Sequence, residues 1–114
     1  MAANAVLTLG DECPTAIVCF HGQQAAEKAI KAILTAHGIP FAKVHDLGDL
    51  RVSLPPAFVL PANATELETL TAYAVVTPYP DAGEEPGRER AEAAVQTADR
   101  IVQSAEAHLR SLLP

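Results

Sequence analysis

The stretch Cys19–Leu34, CFHGQQAAEKAIKAIL, decides the fold because its side chains repeat at helical spacing. On a wheel of about 100° per residue the apolar and polar side chains separate onto opposite faces. Pro14 suits the first turn of this helix and Gly38 its C-terminal cap, so we predict a helix over residues 14–37. The apolar face contains Ala16, Cys19, Phe20, Ala26, Ile30, Ile33 and Leu34.

Two polar residues interrupt that apolar face. Gln23 falls inside the apolar arc, and Glu27 lies at its edge one turn later. A buried amide or carboxylate without partners costs about 1–3 kcal/mol. We therefore expect both residues to have partners, either in a packing network with other helices or from a second subunit or ligand.

The opposite face of the helix is polar and carries His21, Gln24, Lys28, Lys31 and Thr35. One interpretation is a solvated surface. The other is a cationic strip, in which His21, Gln24, Lys28 and Lys31 bind phosphate through charge-assisted hydrogen bonds.

Shorter helices are predicted on either side of this one. Residues 2–9 form two turns before Gly10, and residues 46–54 form a short helix that Pro55 ends. Asn63 then caps a third helix, with Glu66 placed to reach back to it. The apolar stripe of this third helix is Leu67, Leu70 and Ala74, and it must break by Pro78.

The C-terminal part of the chain has the strongest helical periodicity. Residues 77–87, TPYPDAGEEPG, are predicted to be a loop, and Pro86 marks where the last helix begins. No stretch of useful length alternates with period two, so the fold class is an all-α up-and-down bundle of four to five helices. The stripe of the last helix is Ala91, Ala94, Val95, Ala98, Ile101, Val102, Ala105, Leu109 and Leu112.

Composition agrees with one small helical domain over residues 1–114. The chain has a mass of 12.0 kDa, is 49% hydrophobic and only 4% aromatic, and contains 22 alanines. Such a core is typical of helices that pack closely through small side chains. No apolar run is long enough to cross a membrane and no basic leader begins the chain, so we expect a cytoplasmic protein with Cys13 and Cys19 reduced.

Charge argues against general nucleic-acid binding. The net charge is −6, with 8 basic residues against 14 acidic ones, whereas coating phosphates needs the opposite balance. A local site is still compatible with this charge. Between Cys13 and His45 the chain has three lysines, Lys28, Lys31 and Lys43, and one acidic residue, Glu27.

The histidines and the known catalytic motifs give no further site by spacing. His21, His37, His45 and His108 have no metal-ligand spacing, and phosphate-loop and hydrolase motifs are absent, so we expect no metal and no cofactor. His37 suits the negative end of a helix dipole. His45 either caps the short helix beside Asp46 or donates to a ligand or partner.

The motif FHxQQAxEKxxKA beginning at Phe20, followed by HDL at residues 45–47 and YPD at residues 79–81, resembles the HEPN domain family. The resemblance implies a bundle of four or five helices and a homodimer. Prokaryotic members are often encoded beside a minimal nucleotidyltransferase, as a two-component or toxin–antitoxin-like pair. Nucleotide binding has been proposed for the family, and some branches are RNases that use an Arg followed shortly by a His.

The chain departs from the family pattern in three places. Its nearest Arg and His in that order, Arg100 and His108, have seven residues between them, which is too many for the RNase motif. Pro78 stands where the usual Arg-Tyr-Pro has its Arg. The first helix is also shorter than in other members, which leaves apolar positions for a second subunit to cover.

The resemblance, together with the missing Arg–His pair, implies a non-catalytic module that binds a nucleotidyltransferase partner, with nucleotide binding left as an option. The alternative is a metal-independent RNase toxin with its site at the dimer interface, and a third interpretation is a purely structural scaffold. Tyr79, in the stiff loop between two prolines, either packs on the bundle or stacks on a ligand. The residues predicted to bind nucleotide or partner are His21, Gln24, Lys28, Lys31, His45 and Tyr79.

Overall fold

The computed structural model describes residues 15–74 and 86–114, which form four helices and, within those ranges, no strand. The helices are α1 (Thr15–Ala36), α2 (Leu47–Val52), α3 (Ala64–Thr71) and α4 (Arg88–Ser111). The predicted all-α bundle is confirmed. The predicted helix over residues 2–9 and most of the predicted loop over residues 77–87 lie outside the described residues.

The long helices α1 and α4 pack side by side and run parallel. At one end the Thr15 hydroxyl donates to the carbonyl of Pro86, and at the other the ring of His37 meets that of His108; the members of each pair are 71 positions apart in the sequence. Between these ends α1 lies close to α4 at Gly22. A Cβ placed on Gly22 would be 3.4 Å from the carbonyl oxygen of Ala94.

Most of the core lies along this parallel pair. Burying one Ile or Leu side chain stabilises the fold by about 1.5–3 kcal/mol, and small residues let the two backbones approach. The buried apolar residues of α1 are Val18, Cys19, Ala26, Ala29, Ile30, Ile33 and Leu34, and those of α4 are Ala91, Ala94, Val95, Ala98, Ile101 and Ala105. Cys19 is thus a core residue, and burial raises the pKa of its thiol.

Helix α1 ends at Ala36, and Gly38 is the glycine of its C-terminal cap, as predicted. Gly38 has φ of 68°, in the left-handed region that glycine adopts without strain. Its N–H donates to Thr35, and the N–H of Ile39 donates to Leu34 at 2.9 Å. This Schellman motif makes His37 the last residue before the chain turns away from α1.

Helices α2 and α3 close the bundle. Asp46 caps α2 by accepting from the N–H of Asp49, and Leu47 and Leu50 are buried. Asn63 and Glu66 form the predicted capping box of α3, with bonds of 2.8 and 3.0 Å. Leu67 and Leu70 of α3 are buried as well.

Helix α3 runs antiparallel to α4. Glu66 pairs with Arg100, while Tyr73, just past the end of α3, faces the Arg90 end of α4. Helices α1, α3 and α4 therefore run up, down and up, in agreement with the predicted topology.

Some helix boundaries differ from those predicted. Helix α4 begins at Arg88, with Gly87 rather than Pro86 at its N-cap, because the extended backbone of Gly87 supplies the first accepting carbonyl, to Ala91. Leu112, predicted to lie on the buried stripe, is 47% exposed. Since α1 ends level with His108, Leu112 has no turn of α1 beside it.

Candidate functional site

The carboxylate of Glu27 is the centre of a hydrogen-bond network on the polar side of α1. Its side chain is 8% exposed and accepts three bonds. Gln23 Nε2 donates to Oε1 at 2.9 Å, Lys31 Nζ donates to Oε2 at 3.0 Å, and His45 Nδ1 lies 2.8 Å from Oε1. A buried carboxylate with this many donors is fully compensated for its lost hydration.

The second polar interruption of the apolar face, Gln23, belongs to the same network. Its side chain is fully buried. Nε2 also donates to the carbonyl of His45 at 3.2 Å, and Oε1 accepts from Gln24 Nε2 at 2.7 Å. The expectation that Gln23 and Glu27 need partners is confirmed, and the partners come from α1 itself and from His45.

The network keeps Glu27 charged. Burial alone disfavours the carboxylate, but the hydrogen bonds from Gln23, His45 and Lys31 and the charge of Lys31 outweigh it and hold the pKa of Glu27 below its ordinary value. The site therefore contains a buried negative charge at neutral pH, faced by the Lys31 ammonium and the His45 imidazole, both of which reach the surface.

His45 is held by one nitrogen and exposed at the other. Its side chain is 63% exposed, and Nδ1 is engaged by Glu27, so Nε2 is available to a ligand or partner. The predicted capping role for His45 is wrong, because Asp46 caps α2 alone and the imidazole turns back to α1.

Lys31 connects the network to the segment that follows α1. Besides its ion pair with Glu27, its Nζ lies 5.7 Å from the centre of the Phe41 ring, within the range of a cation–π contact. Glu27 and Phe41 together hold the ammonium group on the surface where His45 is exposed.

The structure thus brings together three of the predicted site residues, Gln24, Lys31 and His45. His21 and Lys28 lie on the same helix outside the hydrogen-bonded network: His21 is half-buried with its ring edge against Phe20, and Lys28 is exposed. Tyr79 lies outside the described residues.

The network also uses residues that the predicted site left out. Gln23 and Glu27 were visible as polar positions on an apolar arc, and the spacing of Glu27 and Lys31 is that of an ion pair on one helix. Phe41 gave no signal in the sequence.

A second cluster joins the C-terminal ends of α1 and α4. The Nε2 atoms of His37 and His108 are 2.8 Å apart and the ring centroids 5.1 Å apart, with the ring planes inclined by 27°, so the two rings meet nitrogen to nitrogen. Phe58 lies edge-on to His108, with centroids at 5.2 Å. Sequence spacing could not reveal this pair.

Arg100 and His108 do not form one site. They are eight positions apart on α4, about 12 Å along the axis at 1.5 Å per residue. Arg100 pairs with Glu66 and donates to the carbonyl of Pro61 at 3.3 Å, whereas His108 meets His37.

The described residues contain neither a metal-binding cluster nor a membrane-spanning helix. In residues 15–74 and 86–114 no three His, Cys, Asp or Glu side chains are grouped so that they could hold a metal ion. None of the helices α1 to α4 is both long and apolar enough to cross a bilayer.

These features define a small α-helical domain in which the two long helices, α1 and α4, run parallel and form most of the core. On α1, a buried Gln–Glu pair lies beneath lysine side chains at the surface. The family model for the HEPN domain matches residues 3–108, and the chain therefore belongs to the HEPN domain family. Neither the curated proteins nor the solved structures gave a significant match.

Proposed function

We propose that this HEPN domain is a non-catalytic binding module, a homodimer that docks a nucleotidyltransferase and also binds a nucleotide. We assign binding to His21, Gln24, Lys28, Lys31 and His45, and keep the predicted binding role of Tyr79, which lies outside the described residues. The observation that carries the proposal is the Glu27 network, which holds Lys31 and the free nitrogen of His45 at one surface.

Charge supports a phosphate-bearing ligand at this surface. Lys28 lies one turn of α1 before Lys31 and makes no hydrogen bond or ion pair among the described residues. Its ammonium group is a donor with no protein acceptor in that part of the chain, and the Nε2 of His45 has no protein partner there either. Phosphate oxygens accept charge-assisted hydrogen bonds from an ammonium donor of this kind.

The geometry gives no support for a catalytic Arg–His pair on α4. Arg100 is held by Glu66 and Pro61 O, and His108 is held by His37. The proposal therefore assigns binding, and not cleavage, to the polar surface of α1.

The test is isothermal titration with common nucleotides, together with co-purification with the product of the neighbouring gene. We expect Lys28→Gln to weaken binding about tenfold, which is the loss of one charge-assisted hydrogen bond of about 1.4 kcal/mol. Arg110→Gln is the matched control, since Arg110 is an exposed cation on α4 and its loss leaves binding unchanged.

Failure of the wild-type protein to bind either a nucleotide or the partner contradicts the proposal. Cleavage of RNA by the purified protein without added metal, lost in His21→Ala and His45→Ala, supports the alternative RNase instead. Partner binding that Lys28→Gln and Lys31→Gln leave unchanged indicates a scaffold whose polar motif only directs packing.

A further inference from the structure

The segment that joins α1 to α2 presents an aromatic ring to solvent. This ring is Phe41, whose side chain is 37% exposed. In residues 15–74 and 86–114 the other phenylalanine and tyrosine side chains, Phe20, Phe58 and Tyr73, are half-buried or buried. Within that part of the chain, Phe41 is therefore the large aromatic ring that a ligand in solution can reach.

The fold holds Phe41 beside the Glu27 network. The Nζ of Lys31 lies over the ring, 5.7 Å from its centre, and leaves part of the ring open. The segment is tied to α1 at both ends: the N–H of Ile39 donates to a carbonyl of α1 at 2.9 Å, and His45 Nδ1 lies 2.8 Å from Glu27 Oε1. A side chain on a segment fixed in this way loses little conformational freedom when it binds a ligand.

An aromatic ring beside ammonium groups matches the two parts of a nucleotide. A base has a flat π-face and stacks on an aromatic side chain, and such stacking tolerates any base. The phosphate accepts charge-assisted hydrogen bonds from lysine. A sugar phosphate without a base can use the lysines alone, so a stacking ring distinguishes the two kinds of ligand.

We infer that Phe41 stacks on the base of the nucleotide, so that the polar surface of α1 selects ligands with a nucleobase over base-free sugar phosphates. This inference rests on the proposed function and adds which part of the ligand is recognised. The base covers the open part of the Phe41 ring and removes apolar surface from water, while Lys28 and Lys31 face the phosphate.

The experiment is isothermal titration of the full chain with adenosine monophosphate (AMP) and with ribose 5-phosphate, which lacks the adenine. We expect the wild type to bind AMP at least about tenfold more tightly than ribose 5-phosphate. Phe41→Ala lowers the affinity for AMP about tenfold and leaves the affinity for ribose 5-phosphate unchanged. Phe41→Trp, which keeps a π-face, retains the preference for AMP.

Fluorescence supplies a second measurement, because the chain contains no tryptophan. In Phe41→Trp, AMP quenches the emission of the single indole by stacking on it, and ribose 5-phosphate does not. Gln103→Trp is the matched control. Gln103 is exposed on α4 and lies about 200° around the helix from buried Ile101 and from buried Ala105, so an indole there faces away from α1 and keeps its emission with either ligand.

The outcomes separate this inference from the proposed function. If the wild type binds neither AMP nor ribose 5-phosphate, the proposed function is contradicted and the stacking role is lost with it. Equal affinities for the two ligands, an affinity for AMP that Phe41→Ala leaves unchanged, or equal quenching in Gln103→Trp overturns the stacking role alone. In each of those three cases the phosphate-binding role of the lysines stands.

Discussion

Glu27 is the residue on which the polar side of α1 depends. Four side chains of different types meet there: a carboxylate, an amide, an ammonium and an imidazole. Because the pKa of Glu27 is held below its ordinary value of 4.5, the charged carboxylate contributes stability at every pH above that value. That contribution is lost as the pH falls through the lowered pKa.

Replacing Glu27 by Gln should change both the stability and its dependence on pH. At pH 7 we expect a loss of about 1–3 kcal/mol in the free energy of unfolding, because the donors of Lys31 and His45 lose a charged acceptor. Below about pH 4.5 the variant should lose less stability than the wild type, since one carboxylate no longer titrates. Urea unfolding between about pH 3 and pH 7, which spans the titration of carboxyl groups, measures both effects.

Glu68→Gln, at an exposed position of α3, is the control and should leave the profile unchanged. Part of the acid dependence should survive in Glu27→Gln. The pKa of Glu66 is also lowered, by the backbone of Asn63 and by Arg100, and Glu66 keeps its own titration. Identical pH profiles for the wild type and Glu27→Gln would contradict the role given to Glu27.

Sequence reasoning reached only some of these residues. Gln23 and Glu27 were expected to need partners because they lie on the apolar arc of α1. That arc can be identified from the sequence of this one helix. The contact of His45 with Glu27 depends on the path of the chain after Gly38, and the contact of His37 with His108 joins residues 71 apart. No helical period carries information about such distant pairs.

Among the helices, α1 lies against α4 at Gly22. A Cβ there would lie 3.4 Å from the Ala94 carbonyl oxygen, at the edge of ordinary van der Waals contact, so a methyl group fits. Alanine also has a higher helix propensity than glycine. We therefore expect Gly22→Ala to raise the free energy of unfolding by about 0.5–1 kcal/mol.

A larger side chain at the same position should have the opposite effect. Gly22→Leu forces the helices apart and should lower the free energy of unfolding by about 1–3 kcal/mol. Leucine at Ala93, on the exposed side of α4, is the control for side-chain size. Urea unfolding distinguishes the two outcomes, and equal stability of Gly22→Ala and Gly22→Leu would show that α1 and α4 do not meet at this point.

Helix ends marked by a side chain or a glycine were predictable, and others were not. Asn63, Glu66 and Gly38 act through bonds to neighbours a few residues away, so the sequence alone identifies them. The exposure of Leu112 depends instead on where α1 ends beside α4, which is a tertiary property.

For the molecule as a whole, several large apolar side chains remain on the surface. Ile17, Val52, Val59 and Leu113 are all exposed. A second copy that covers such residues removes apolar area from water, and closed dimers are the commonest assembly of this kind. This supports the dimer in the proposed function.

We expect light scattering to give twice the 12.0 kDa mass of the chain. The apolar contact should persist in high salt, because the hydrophobic effect does not depend on screened charges. A stable monomer of 12.0 kDa across the concentration range would contradict the dimer.

The parallel packing of α1 and α4 also affects how the domain folds during its synthesis. Two adjacent helices in a hairpin find each other early, whereas α1 must wait for α4, which begins at Arg88 and is synthesised after the other three described helices. Closing so long an intervening segment carries an entropic penalty before α1 and α4 gain their mutual contacts. On the ribosome, α1 therefore emerges before α4, and a chain terminated before Arg88 lacks the α4 residues that pack on the apolar face of α1.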